Sequence, residues 1–179
     1  MIVTLLANGF EEIEALTPVD ILRRAGLKVI TCGITGKSVT GSHGIKVEAD
    51  ALPEDIDISE VQMLILPGGM PGATNIDEHP FTNKIIDATL KNGGKIAAIC
   101  AAPLVLGRRG LLNGKRATCY PGFEGELTGA TVTGEGVVTD GNITTAKGMG
   151  VALEFSKELV RLTLGADKAK EISIAVMEK

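Results

Sequence analysis

Three short stretches of the chain hold residue types able to do covalent or acid–base chemistry. The apolar run IAAI ends in Cys100, and two small residues, Ala101 and Ala102, follow it. A cysteine so placed reads as a nucleophile elbow, a strand-to-helix turn that lifts the side chain above a sheet. Unpaired N–H groups at the start of the next helix are expected to favour its thiolate. The plain alternative, a buried inert cysteine, is the better reading of Cys32 within VITCGI. Cys119, within RATCYPGF, leans the same way. The second stretch is Glu11-Glu12-Ile13-Glu14. Carboxylates early in a helix are usually solvated or complement its dipole, which is reason enough for Glu11 and Glu12. Glu14 differs because Pro18 lies four residues on, where its ring opposes the Glu14 carbonyl and donates nothing to it. Either the helix kinks there, or it starts afresh with Thr17 as N-cap and Pro18 in the first position. The third stretch is Pro67-Gly68-Gly69, which is either a simple loop or a pair of glycines whose N–H groups converge on an oxyanion. No GK[ST] follows, so phosphate binding is unsupported. The two histidines sit apart: His43 in the Gly-flanked turn Gly41–Gly44, and His79 before Pro80 at a helix start, where it reads as plain surface.

The elements that must position these residues are legible as apolar runs alternating with helix-like stretches. Strands are expected over Ile2–Leu6, Val29–Ile34, Met63–Leu66 and Ile96–Ile99. Helices are expected over Leu16–Ala25, Asn83–Leu90 and Val151–Leu164, with a further one over Asp167–Val176. Ile13, Leu16, Val19, Leu22 and Ala25 recur every three positions and predict one buried helical face. Ser38–Glu48 and Gly136–Thr145 read as hairpins. Near-continuous apolar strands between helices mean a mostly parallel sheet covered on both faces, an α/β doubly wound fold. Ligands of such folds bind beyond the carboxyl ends of the strands. Ala7–Glu14, Pro67–Gly72, Cys100–Pro103 and Ala146–Gly150 each follow a strand, so all are expected on one rim.

Composition sets the outer limits. A chain of 179 residues with 44% hydrophobic and 22% charged residues suits a single globular domain spanning 1–179. With 3% aromatics and no tryptophan, the core must be aliphatic. The net charge is −4 and no basic block is present, which argues against a nucleic-acid partner. The longest apolar stretch, Ala97 to Gly107, is too short to span a bilayer, so no membrane partner is expected. The opening MIVTLLANGFEEIEAL lacks a basic start and turns acidic at once, unlike a signal peptide; a cytoplasmic, reducing location is the expectation. Three cysteines without CxxC argue against a disulfide framework or a metal site.

Taken together, GFEEIEALTPVDILRRAG, LILPGG, AAICAAP and TAKGMG, in this order, resemble the ThiJ/PfpI superfamily, and within it the branch of the Parkinson-disease protein deglycase. The resemblance covers nearly the whole chain. It implies a flavodoxin-like fold related to class I glutamine amidotransferases, a homodimer, and no cofactor. It makes Cys100 the reactive cysteine and Glu14 the buried carboxyl bonded to it, with Gly68, Gly69 and Ala101 lining the site through their backbone. Two departures stand out. Ala101 replaces the histidine that follows the cysteine in the peptidase-like branch. Tyr120 stands where many deglycase-branch members carry histidine in the strand after the elbow helix. His43 occupies a hairpin position where relatives often carry arginine at the dimer interface, from which it could act in trans. The resemblance implies a glyoxalase or deglycase acting on small 2-oxoaldehydes, methylglyoxal to lactate, and not a peptidase. A redox-sensing stress protein or chaperone that uses an oxidisable Cys100 without turnover is the alternative.

Overall fold

The computed structural model describes residues 1–178. Four aliphatic strands of the main sheet form as expected: β1 (Ile2–Leu6), β2 (Val29–Gly33), β5 (Met63–Leu66) and β6 (Lys95–Ile99). Between β2 and β5 the chain makes an antiparallel hairpin of β3 (Ser38–Thr40) and β4 (Lys46–Glu48). Beyond β6 come the short strands β7 (Arg116–Ala117) and β8 (Thr131–Val132), then β9 (Val137–Asp140) and β10 (Ile143–Ala146). The main sheet runs β2-β1-β5-β6-β10-β9, parallel throughout except for the antiparallel edge strand β9. Its five parallel strands therefore stand in the order 2-1-3-4-5 along the chain, the flavodoxin-like arrangement of a doubly wound fold.

Alternate side chains of each strand enter opposite cores, because the strand period is two. One face presents Val3, Leu5, Leu64, Leu66, Ile96 and Ala98 to the helices α2 (Gly72–Glu78), α3 (Pro80–Lys91) and α4 (Pro103–Arg108). The other presents Ile2, Met63, Ile65, Ala97 and Ile99 to α1 (Glu12–Arg24), α5 (Ala152–Leu164) and α6 (Ala166–Ala175). The expected two-sided burial and both hairpins are present. Helix α2 and the β7–β8 pair have no strong periodic signal and were not anticipated.

Helix α1 departs from the sequence expectation in two ways. It runs unbroken from Glu12 through Pro18, so it does not restart at Thr17. Its buried face holds Val19, Leu22 and Ala25 as expected, but in the first turn Glu12, Glu14 and Ala15 face inward while Ile13 is 47% exposed. The apolar repeat fails only there, because the first turn buries two carboxylates. His79 likewise does more than lie on the surface: its Nδ1 accepts the Phe81 N–H at 3.2 Å and caps α3.

Candidate functional site

Strands β1, β5, β6 and β10 are neighbours and parallel, so their carboxyl ends form one rim. The strand order reverses between β1 and β5, and the crevice of a doubly wound sheet opens at that point. The loops after these two strands are stitched together there, with the Glu11 N–H donating to the Gly68 carbonyl at 2.9 Å. Gly69 has φ +83°, a conformation that favours glycine. Gly68 is required for a different reason. A Cβ on it would lie 2.6 Å from Glu14 Oε2 and 2.7 Å from Cys100 Cβ. Only a residue without a side chain lets the carboxyl and the thiol approach from opposite sides.

Cys100 closes β6 with φ +65°, a left-handed conformation rare outside glycine and a mark of the strained elbow. The strain is held on both sides of the residue. The Cys100 N–H donates to the Ala146 carbonyl, and the Cys100 carbonyl accepts from the Tyr120 N–H, each at 2.8 Å. The backbone N–H groups of Gly69 and Ala101 face the sulfur. Gly68 plays another part: its N–H donates to Glu14 Oε2 at 3.1 Å and so orients the carboxyl.

Glu14 is 1% exposed and hydrogen-bonded to Cys100. Burial, reinforced by the charge of Glu11, pushes its carboxyl up to about 7, despite bonds from Cys100 and from the Gly68 and Met149 N–H groups. The thiol does not follow the expectation of an acidified elbow cysteine. Burial, and then Glu14, push Cys100 up to about 12, outweighing the Gly69 and Ala101 N–H groups. The physical reason is local. Helix α4 is only six residues long and begins three residues after Cys100, so little helix dipole reaches the sulfur. Between about pH 7 and 12 the pair thus carries one proton, on sulfur or on the carboxyl.

The remaining candidates fall into place around this pair. Cys32 and Cys119 are buried, with thiols pushed up to about 12 and about 11 by burial, and take no part. Tyr120 lies in the turn beyond β7, not in a strand, and its ring is half exposed. It flanks Gly148, whose own neighbour on the other side is Glu14. The hairpin that carries His43 folds over the start of α1. Its Nδ1 lies 3.1 Å from Glu12 Oε2 and 3.3 Å from Glu11 Oε2, and its ring is exposed. Glu11, Glu12 and His43 bring ligand-type atoms within 4.8 Å of one another. Their mutual hydrogen bonds account for that grouping. A concavity of about 550 Å³ at the opposite rim, lined by Gln62, Asn92 and Lys95 among others, holds none of the candidate residues. Among the described residues no helix is long and apolar enough to cross a membrane.

Comparisons with known proteins agree with this architecture. The profile of the DJ-1/PfpI family matches residues 1–162. Protein DJ-1 homolog B of Arabidopsis thaliana is 41% identical over 94% of this chain, although the chain spans only 39% of that protein's length. Glutathione-independent glyoxalase DJR-1.2 of Caenorhabditis elegans is 32% identical over 90% of this chain and 87% of its own. Among solved structures, oxidized DJ-1 of Toxoplasma gondii superposes with a TM-score of 0.94 at 31% identity, covering 98% of this chain and 97% of its own. The chain belongs to the DJ-1/PfpI family.

Proposed function

We propose that the chain is a cofactor-independent glyoxalase that converts small 2-oxoaldehydes into 2-hydroxy acids. The observation that carries this reading is the Cys100–Glu14 pair, in which a nucleophile touches a carboxyl poised near neutral pH. The Cys100 sulfur adds to the aldehyde carbon, and its proton ends on the former aldehyde oxygen, giving a hemithioacetal. Glu14, ionised, removes the hydrogen from that carbon, and an enediolate forms. Glu14 returns the proton to the neighbouring carbon, which turns the ketone into an alcohol and leaves a thioester on Cys100. Water cleaves the thioester, releasing the hydroxy acid and the thiol. One carbon is oxidised and its neighbour reduced, so no external oxidant or reductant is needed. The Gly69 and Ala101 N–H groups steady the oxyanions. The relative named as a glutathione-independent glyoxalase supports the substrate class.

The test is formation of lactate from methylglyoxal by the purified chain, run beside Cys100→Ser. Cys100-dependent lactate is the expected result. Absence of lactate, or equal lactate from the variant, overturns the reading and favours the alternative of an oxidisable Cys100 without turnover. The observation behind that alternative is the partly exposed sulfur, ringed by N–H donors that suit a sulfinate. The chain is further read as a homodimer through the exposed Ile13 of α1 and Ile45 of the β3–β4 turn. His43, two residues before Ile45 and exposed, would then reach a second copy.

A further inference from the structure

We propose that the cleft between Tyr120 and Met149 is the subsite for the substituent on the substrate's ketone carbon, and that it selects a flat aromatic group. The inference rests on the glyoxalase reading and names its substrate class: an aryl 2-oxoaldehyde in preference to methylglyoxal.

The cleft lies beside the reactive pair, with Gly148 between its wall and Glu14. Tyr120 and Pro121 form one wall, and Lys147, Gly148 and Met149 form the other. Both walls are anchored to the chemistry. The Tyr120 N–H holds the Cys100 carbonyl at 2.8 Å, and the Met149 N–H bonds to Glu14. Gly148 is the passage between them. A Cβ there would stand 3.4 Å from Tyr120 Cδ2 and 3.9 Å from Glu14 Oε1. With no side chain, the route from the carboxyl to the Tyr120 ring stays open.

The cleft holds about 330 Å³, far more than a methyl group fills. Its character is apolar and soft. The Tyr120 ring is 50% exposed and the Met149 side chain 54% exposed, so both present bare apolar surface beside a reactive centre. A planar ring sandwiched there would stack on Tyr120 and meet the methionine sulfur, two favourable contacts that methyl cannot make. Covalent attachment fixes the order of groups. With the aldehyde carbon on Cys100 and Glu14 serving the carbon next to it, the ketone substituent projects past Gly148 toward Tyr120.

The test compares initial kcat/KM for phenylglyoxal and methylglyoxal. The expected preference is roughly tenfold for the aryl substrate, from one aromatic stacking contact. Tyr120→Ala should collapse that ratio toward one, Tyr120→Phe should retain it, and Gly148→Val should lower it by narrowing the passage. Tyr120 is largely at the surface, so these side-chain changes leave the fold intact. A second readout needs no turnover. Tyr120 is the chain's sole tyrosine and there is no tryptophan, so intrinsic emission reports on this cleft alone. Mandelate, the product of phenylglyoxal, should quench that emission saturably in wild type and in Cys100→Ser, whereas lactate should not. Turnover of methylglyoxal with no aryl preference and no quenching overturns the subsite and leaves the glyoxalase reading standing. Mandelate quenching without turnover of either aldehyde overturns the glyoxalase reading, and with it the assignment of the cleft to a substrate.

Discussion

Glu12 and Glu14 lie two residues apart in the first turn of α1, both almost fully buried, and the structure drives them in opposite directions. Burial alone would raise both. At Glu12 it is outweighed by its own N–H, by the His43 N–H at 2.8 Å, by the His43 ring and by the Ile45 N–H, and the carboxyl is held below its usual range. At Glu14 the donors are weaker, a thiol and two N–H groups, and burial wins, to about 7. One carboxylate is thus an anion at neutral pH that clamps the β3–β4 turn to α1. The other changes protonation near neutral pH beside a nucleophile. Two carboxyls whose surroundings push them apart divide structural from chemical work.

The largest expected effect sets the two against each other in turnover. Glu14→Gln should lower kcat/KM for methylglyoxal by about 10³, the range of a lost acid–base group. Glu12→Gln should stay within a few-fold of wild type. Steady-state lactate assays on both variants decide this, and a larger loss at Glu12 would reverse the assignment.

Stability should sharpen the contrast. Because the Glu14 carboxyl is raised from 4.5 to about 7, its folded-state contribution is fully present below about pH 4.5 and is lost as pH rises through about 7. The loss amounts to ~3 kcal/mol at most. Glu14→Gln should therefore match wild type near pH 4.5 and exceed it at pH 8. Glu12 has the opposite sign: its contribution is present above the usual carboxylate range and is lost as pH falls through its lowered value. Glu12→Ala should cost about 2 kcal/mol at pH 7, from the lost charge-assisted bonds to the part-buried His43 and Ile45 N–H groups. Urea midpoints at both pH values, for both variants, would show whether the signs differ.

The smallest effect concerns the cysteines. Burial pushes Cys32 and Cys100 up alike, to about 12, so access rather than acidity separates them. Cys32→Ala should change turnover by less than about twofold, since its side chain packs only in the core. Peroxide should modify Cys100 before Cys32 or Cys119, read by peptide mass spectrometry. First modification of Cys32 would show that the core opens more readily than the elbow.

Much of this arrangement was readable from residue types. Runs such as MLIL and IAAI permit little but buried strands, and parallel strands bring their carboxyl ends to one rim, so Cys100, Gly69 and Ala101 could be grouped before any coordinates. Pro18 sets Glu14 apart from its neighbours in the sequence, but the opposite protonation of Glu12 and Glu14 has no local cause. It depends on Gly68, 54 positions on, which donates to one, and on His43, 31 positions on, which caps the other. The first turn of α1 departs from its apolar repeat for the same reason: such a repeat cannot announce a carboxylate whose partners come from distant loops. Nor could the sequence show that helix α4 is too short and too remote to acidify Cys100.

The most direct test of Glu14 as the working base is the pH dependence of kcat/KM for methylglyoxal between pH 5 and 9. The rate should rise with an apparent pKa near 7 as the carboxyl ionises, then level off while the pair keeps its single proton. In Glu14→Gln the residual rate should lose that rise. A titration near 7 that survives in Glu14→Gln would place the working base elsewhere, with His43 of a second copy the first residue to substitute.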